Sequence, residues 1–384
     1  MDNLVSSDLP IILDLLFTRL KEDGIKYCVL RQYFELPDKL SGGDLDILID
    51  PHKFDQARHC LLQTAQDNGF ALLRETLYGT VKIFHFYKRY ENDYGFLRID
   101  LNGDQRFFGA CFLTASEILA HAVKYKNFMV AHPVHEAILS LVFPLIASGK
   151  VKKKHEKRIL EVAEKFPKEM EEELGRKFGK VLTKEIMEGL RSRSIKGLES
   201  LRYRLIFKIL FGEILQNSLD IAKNFFIFIK DIFWLRIYPP GCLVILWHPD
   251  KERLDSIIAK VYEKTRYMML GEHAIISQNR LILDNNLFKH NNYFFAWIDT
   301  VFGYLFLLRK SIRRHGIILI ATDINKYISQ KKMLFFKLIM RRIININICS
   351  LESIDKNISK NKIDFDKLLI FNIIHRILYF IKGK

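Results

Sequence analysis

The sequence predicts an α+β module, then an almost wholly helical middle, then an α/β unit with a parallel sheet. Three observations predict this order. Between residues 26 and 101, apolar and polar residues alternate in several short runs, as they do on half-buried strands. From about residue 116 to 230 the apolar spacing is almost wholly that of helices. After the breaker Pro239-Pro240-Gly241, strand-like apolar runs alternate with helical ones, the pattern of parallel strands joined by crossover helices.

Taken in order, Ser7 or Asp8 is placed to cap a first helix that runs to Lys21 and ends at Gly24. Residues 26–31 read as a strand, and after a loop residues 44–49 read as another. Asp50-Pro51 opens a helix, with a capping acid followed by proline in the first turn, and Gly69 stops it. Residues 70–74, 80–87 and 95–101 follow as strands of a mixed or antiparallel sheet. The helical middle contains the basic run Lys150, Lys152, Lys153, Lys154, Lys157 and Arg158, which reads as a solvated helix face or as a polyanion contact. Beyond the breaker, residues 242–247 form a buried-type strand and Pro249-Asp250 starts a helix. A long apolar helix spans about 294–313, and residues 317–321 and 343–349 are two further strands. The expected units are residues 1–115, 116–238 and 239–384.

The run Gly42-Gly43-Asp44-Leu45-Asp46-Ile47-Leu48-Ile49 holds the most specific chemistry. Residues i and i+2 of a strand share a face, so Asp44 and Asp46 stand side by side, close enough to share a divalent cation. Gly42 and Gly43 allow a backbone or a phosphate to approach closely. A third acid, Asp100, lies in another strand-like run, Phe96-Leu97-Arg98-Ile99-Asp100-Leu101. Two carboxylates and a third from a neighbouring strand are what metal-assisted phosphoryl chemistry requires. Carboxylate oxygens suit Mg²⁺, which neutralises charge on phosphates.

Composition sets the wider frame. Hydrophobic residues make up 49% of the 384, enough for packed cores, and the net charge of +16 favours polyanionic partners such as nucleotides, nucleic acid or an anionic membrane. The five cysteines, Cys28, Cys60, Cys111, Cys242 and Cys349, lie far apart in apolar contexts and read as buried free thiols. The N-terminus lacks the pattern of a secretory leader, and the most apolar run, 293–308, is short of a membrane span and interrupted by Asp299. A cytoplasmic protein is expected. The C-terminal segment 365–381, with Lys362, Lys367, Arg376, Lys382 and Lys384, reads as a docked helix or as a peripheral contact with an anionic membrane. His121, His132, His135 and His155 cluster in sequence, but no Cys or carboxylate set completes a zinc site, so they read as structural.

Leu30-Arg31, Leu36-Pro37 and Asp44-Leu45-Asp46-Ile47-Leu48-Ile49 together resemble the polymerase-beta-like nucleotidyltransferases, over roughly residues 10–160. The closest likeness is to bacterial members associated with surface-polysaccharide functions. The resemblance implies Mg²⁺ on Asp44, Asp46 and Asp100, with Asp100 as base. It also implies transfer of a nucleotidyl group from a nucleoside triphosphate to a small acceptor, with no specific nucleic acid. Many members place a Gly-Ser pair before the acids to hold triphosphate. Here Arg31-Gln32 stands in that neighbourhood, with Arg31 and Arg98 as the phosphate contacts.

Residues 239–250 resemble the lead-in strand and loop of thymidylate-kinase-like P-loop domains. Leu254 stands where the lysine of that loop belongs, the loop glycines are replaced by Lys251-Glu252-Arg253, and Thr322-Asp323-Ile324 replaces an Asp-Arg-Tyr. The implied domain keeps its fold and has lost its ATP chemistry. Two alternatives stay open: a non-catalytic binding or assembly protein of a glycan system, and a nucleotide or small-molecule kinase acting through the second domain.

Overall fold

The structure is a computed structural model that describes residues 8–40, 44–78, 80–91 and 93–237. Beyond these it describes the strand segments 242–247, 274–276, 317–321 and 345–350 and a few helical residues between 256 and 261. Gly42, Gly43, the loop at 248–255, the segments 293–313 and 322–324 and the C-terminal segment 365–381 lie outside the described residues.

The first half is built on a seven-stranded mixed sheet. Its strands are β1 (Tyr27–Val29), β2 (Leu45–Ile49), β3 (Ala71–Tyr78), β4 (Val81–Tyr90), β5 (Asp93–Asn102) and, further along the chain, β8 (Val123–Tyr125) and β9 (Phe128–Val130). They lie in the order β3-β4-β5-β2-β1-β9-β8. β2 runs parallel to β5 and β1 parallel to β9, and the other four pairings are antiparallel. A separate hairpin, β6 (Gln105–Phe107) and β7 (Ala110–Leu113), follows β5.

One face of the sheet is covered by α1 (Leu9–Glu22) and α2 (Phe54–Asp67). α1 presents Leu9, Ile12, Leu13, Leu16, Phe17 and Leu20, a stripe at helical spacing, and all six are buried. Each such side chain contributes about 1.5–3 kcal/mol on burial. The other face is covered by helices from the middle of the chain. These are α3 (Ala115–Ala120), α4 (Pro133–Ser148), α5 (Lys153–Lys165), α6 (Pro167–Phe178), α7 (Lys180–Arg191) and α8 (Arg202–Ile237). α4 is buried nearly all round, as its run of Ala, Ile, Leu and Val requires. At Gly109 (φ 89°) the β6–β7 hairpin meets α8 so closely that a Cβ there would lie 2.8 Å from the Ile221 carbonyl oxygen and from the Phe225 nitrogen.

The second half shows four parallel strands, β10 (Cys242–Trp247), β11 (Ala274–Ile276), β12 (Ile317–Ala321) and β13 (Asn345–Ser350), in the order β11-β12-β10-β13. A mixed α/β architecture with a parallel sheet in the second half is therefore present. Among the described residues, no helix is long and apolar enough to cross a membrane. Cys28, Cys60 and Cys111 are free, the first two buried.

Three local expectations change. Asp8 precedes α1 but its side chain makes no cap bond. Its carboxylate instead accepts from Lys88 Nζ at 2.7 Å and Tyr90 Oη at 2.6 Å, tying the helix to β4. The middle of the chain is not wholly helical, because β8 and β9 extend the sheet beside β1. Three residues each are too few to show a period, and only Phe128 and Val130 are buried in alternation. The third change is the β6–β7 hairpin, whose left-handed corner at Phe108 (φ 47°) and Gly109 carries no Asn-Gly type signal.

α3 is fastened by one acid. Thr114 and Glu117 form a reciprocal capping box, and Glu117 also accepts from Lys177 Nζ at 2.8 and 2.9 Å and from Arg176 Nη1 at 2.9 Å. Burial opposes its charge, but Lys177 and the Thr114 bonds hold its pKa down at about 2. The unfolded value lies near 4.5, so this contribution is full above pH 4.5 and is lost as the pH falls toward 2. Glu117→Gln keeps the box and removes the charge. It is expected to cost about 1–2 kcal/mol at neutral pH, and urea titrations should show that difference closing between pH 4.5 and pH 2.

Candidate metal centre

The centre forms where β2 and β5 run side by side. Leu45, Ile47 and Ile49 of β2 and Leu97, Ile99 and Leu101 of β5 belong to the core beneath α1 and α2. Alternation therefore turns Asp46 and Leu48, and Arg98, Asp100 and Asn102, to the opposite face, where α4 to α8 pack. The parallel register sets Asp46 directly beside Asp100. Asp44 is not within the strand as expected but in a bend just before it. The β2–β5 ladder stops at Leu45↔Ile99 and the β1–β2 ladder at Val29↔Ile47, so no pairing extends to Asp44 on either side. That bend leaves Asp44 partly exposed, while Asp46 and Asp100 are each 5% exposed.

Carboxylate oxygens of Asp44, Asp46 and Asp100 all lie within 4.8 Å of one another. The three predicted acids are thus brought together, and among the described residues they are a group close enough to share one metal ion. Both predicted arginines are present as well. Arg31 Nε donates to Asp46 Oδ2 at 2.6 Å. Arg98 grips Asp100 through both oxygens, at 2.8 and 2.6 Å, and comes within 3.9 Å of Asp44. Asn102 adds a long 3.5 Å contact to Asp46 Oδ1 and a 3.0 Å bond to the Asp100 carbonyl oxygen.

Unlike surroundings split the three acids. Burial and the neighbouring Asp46 raise the Asp44 pKa. Burial would raise Asp46 too, but the Arg31 guanidinium outweighs it and holds that carboxyl below its usual range. Burial pushes Asp100 up to about 6 in spite of the Arg98 fork. Arg31 and Arg98 offset part of the repulsion among the three acids, and the raised Asp44 and Asp100 reflect what burial and the remaining repulsion cost.

The N-terminal turn of α5 faces this group. Lys154 Nζ donates to Gln32 Oε1 at 3.2 Å, and it lies within electrostatic reach of Asp44 and Asp46. Gln32 adopts a left-handed backbone (φ 58°), which turns the chain sharply after Arg31. His155 is buried, its Nε2 has no hydrogen-bond partner, and its charged neighbours are Arg31, Lys154, Lys152 and Asp46. Sequence reasoning left Asn102, Lys154 and His155 out of the site. Asn102 is two residues past Asp100 on the same strand face, a signal that was there to read. Lys154 and His155 reach the acids only through the packing of α5 on the sheet.

The other clustered histidines lie elsewhere. His132 caps α4, His135 is buried in its first turn, and both stack edge-on with neighbouring rings, His135 with His121 at 5.5 Å. Burial lowers the pKa of both His132 and His135, so they are neutral parts of the packing.

No protein-family model matches the chain, and no curated protein is significantly similar to it. A comparison with solved structures finds the crystal structure of JHP933 from Helicobacter pylori, 11% identical, matched over 61% of this chain and 97% of that one with a TM-score of 0.29. A likeness at that score fixes neither fold family nor function.

Proposed function

We propose that the chain is a nucleotidyltransferase, moving a nucleotidyl group from a nucleoside triphosphate to the hydroxyl of a small acceptor, in surface-polysaccharide biosynthesis. The supporting observation is the parallel register that sets Asp46 beside Asp100 with Asp44 at their mouth. The donor set fits Mg²⁺, since all three ligands are hard carboxylate oxygens and no thiol or imidazole belongs to the group. Mg²⁺ held by Asp44, Asp46 and Asp100 would neutralise charge gathering on the phosphates.

The chain's own residues supply the rest. The acceptor oxygen attacks the α-phosphorus, the bond from that phosphorus to the bridging oxygen breaks, and pyrophosphate leaves. The acceptor proton passes to a carboxylate, and Asp100, which burial raises to about 6, is suited to take it. Arg31 and Arg98 turn from carboxylate to phosphate oxygens, their planar forks matching either partner. The direct test is metal-dependent pyrophosphate release from a panel of nucleoside triphosphates and small acceptors, comparing the wild type with Asp46→Asn.

One observation favours a second reading, a non-catalytic binding or assembly protein. Arg98 occupies both oxygens of Asp100, so the acids could be a closed ion-pair network. Arg98→Met separates the two readings. In the enzyme it frees Asp100, and Mn²⁺ titrated alone is expected to bind about tenfold more tightly while turnover falls. In a closed network the same variant gains no metal affinity and is simply less stable.

A further inference from the structure

The basic run that opens α5 is more than a solvated face at one of its members. Lys154 and Lys157 both lie in it. Lys157 projects outward with its side chain 90% exposed and pairs loosely with Glu161. Lys154, also exposed, instead reaches to Gln32 and lies within electrostatic reach of Arg31, Asp44 and Asp46. No side chain caps α5, whose N-cap residue is Lys152. The His155 N–H donates to the Lys152 carbonyl oxygen, while the N–H groups of Lys153 and Lys154 have no side-chain cap and can bind an anion, and the helix dipole adds positive potential there. The next residue, His155, is 6% exposed and its Nε2 has no partner. An unmatched buried ring nitrogen costs free energy unless something outside the chain satisfies it.

We infer that the N-terminal turn of α5, through Lys154 and His155 together with Arg31, is the seat for the polyphosphate of a nucleotide, doing here what a Gly-Ser turn does in a protein that has one. The inference rests on the nucleotidyltransferase reading for what lies across the acids, and it adds residues that the reading did not contain. Lys154 supplies a mobile point charge and Arg31 a planar fork. His155 donates from Nε2 to a phosphate oxygen, the bond it otherwise lacks. Anion and metal then share the space between α5 and the strand ends, with the carboxylates to one side and the cations to the other.

The probe is inorganic pyrophosphate, titrated calorimetrically into the full chain, once in EDTA and once with excess MgCl₂. Lys154→Met is expected to weaken binding about tenfold, the loss of one charge-assisted bond. Lys154→Arg should recover most of it, His155→Leu should lose a smaller factor, and Lys157→Met should stay within about twofold of the wild type. Equal losses for Lys154→Met and Lys157→Met would mean a diffuse basic field and overturn the seat, as would no binding in either arm. Turnover that tolerates Lys154→Met also overturns the seat but leaves the transferase standing. Lys154-dependent binding with no pyrophosphate release from any triphosphate keeps the seat and removes the transferase.

Discussion

Asp46→Asn is expected to lower metal-dependent pyrophosphate release by about a thousandfold or more, about 4 kcal/mol of barrier. The side chain keeps its shape, so the strand and its neighbours stay in place. What changes is charge at a buried member of the trio, whose carboxyl Arg31 holds below its usual pKa range. An amide can offer one oxygen but no negative charge, and a divalent ion bound only by Asp44 and Asp100 is held weakly. Arg31 loses its ion-pair partner but is partly exposed and lies close to Asp44, so stability should change little. Thermal melting checks that the fold survives, and Mn²⁺ calorimetry checks that the metal does not bind. Unchanged turnover with unchanged metal binding would end the enzymatic reading.

The largest loss of stability is expected away from the acids, at Arg158→Met. Glu136 on α4 is 3% exposed, and its Oε2 accepts from Arg158 Nη2 at 2.9 Å and Nε at 3.1 Å and from Tyr33 Oη at 3.2 Å. Burial raises the Glu136 pKa even with its partner present. Removing the guanidinium leaves a buried carboxylate with one neutral donor, at a cost of about 3–5 kcal/mol. Urea unfolding at neutral pH measures it. The deficit should shrink as the pH falls, because a protonated Glu136 needs no cation. Glu136→Leu combined with Arg158→Met should be more stable than Arg158→Met alone, since apolar replacement of both partners removes the unpaired charge. A double variant no better than the single would show that the pair is not what holds α4 to α5.

Much of this was legible locally. The acids and most strands follow from alternation, both arginines from the family resemblance, and α1 and α2 from helical spacing with their glycine stops. What stayed hidden depends on contacts distant in sequence. Asp8 looks like a cap from its neighbours, yet it is taken by Lys88 and Tyr90, some eighty residues on. β8 and β9 are too short to announce themselves and exist because β1 offers an edge. Lys154 is indistinguishable in sequence from Lys152, Lys153 and Lys157. Only the docking of α5 against the loop after β1 decides which of them meets the acids.

The pairing of Asp46 with Asp100 makes the chemistry hostage to counting. A side chain on a strand changes face with every step, so a single residue inserted early in β5 would send Asp100 into the α1–α2 core and bring Ile99 or Leu101 into its place. The sheet could still close with apolar residues on both sides, as the burial of β2 on both faces shows. Substitutions across the surface leave the site untouched, whereas one insertion or deletion between Asp93 and Asp100 abolishes it at a stroke. Length in that segment, more than composition, decides whether the three acids meet.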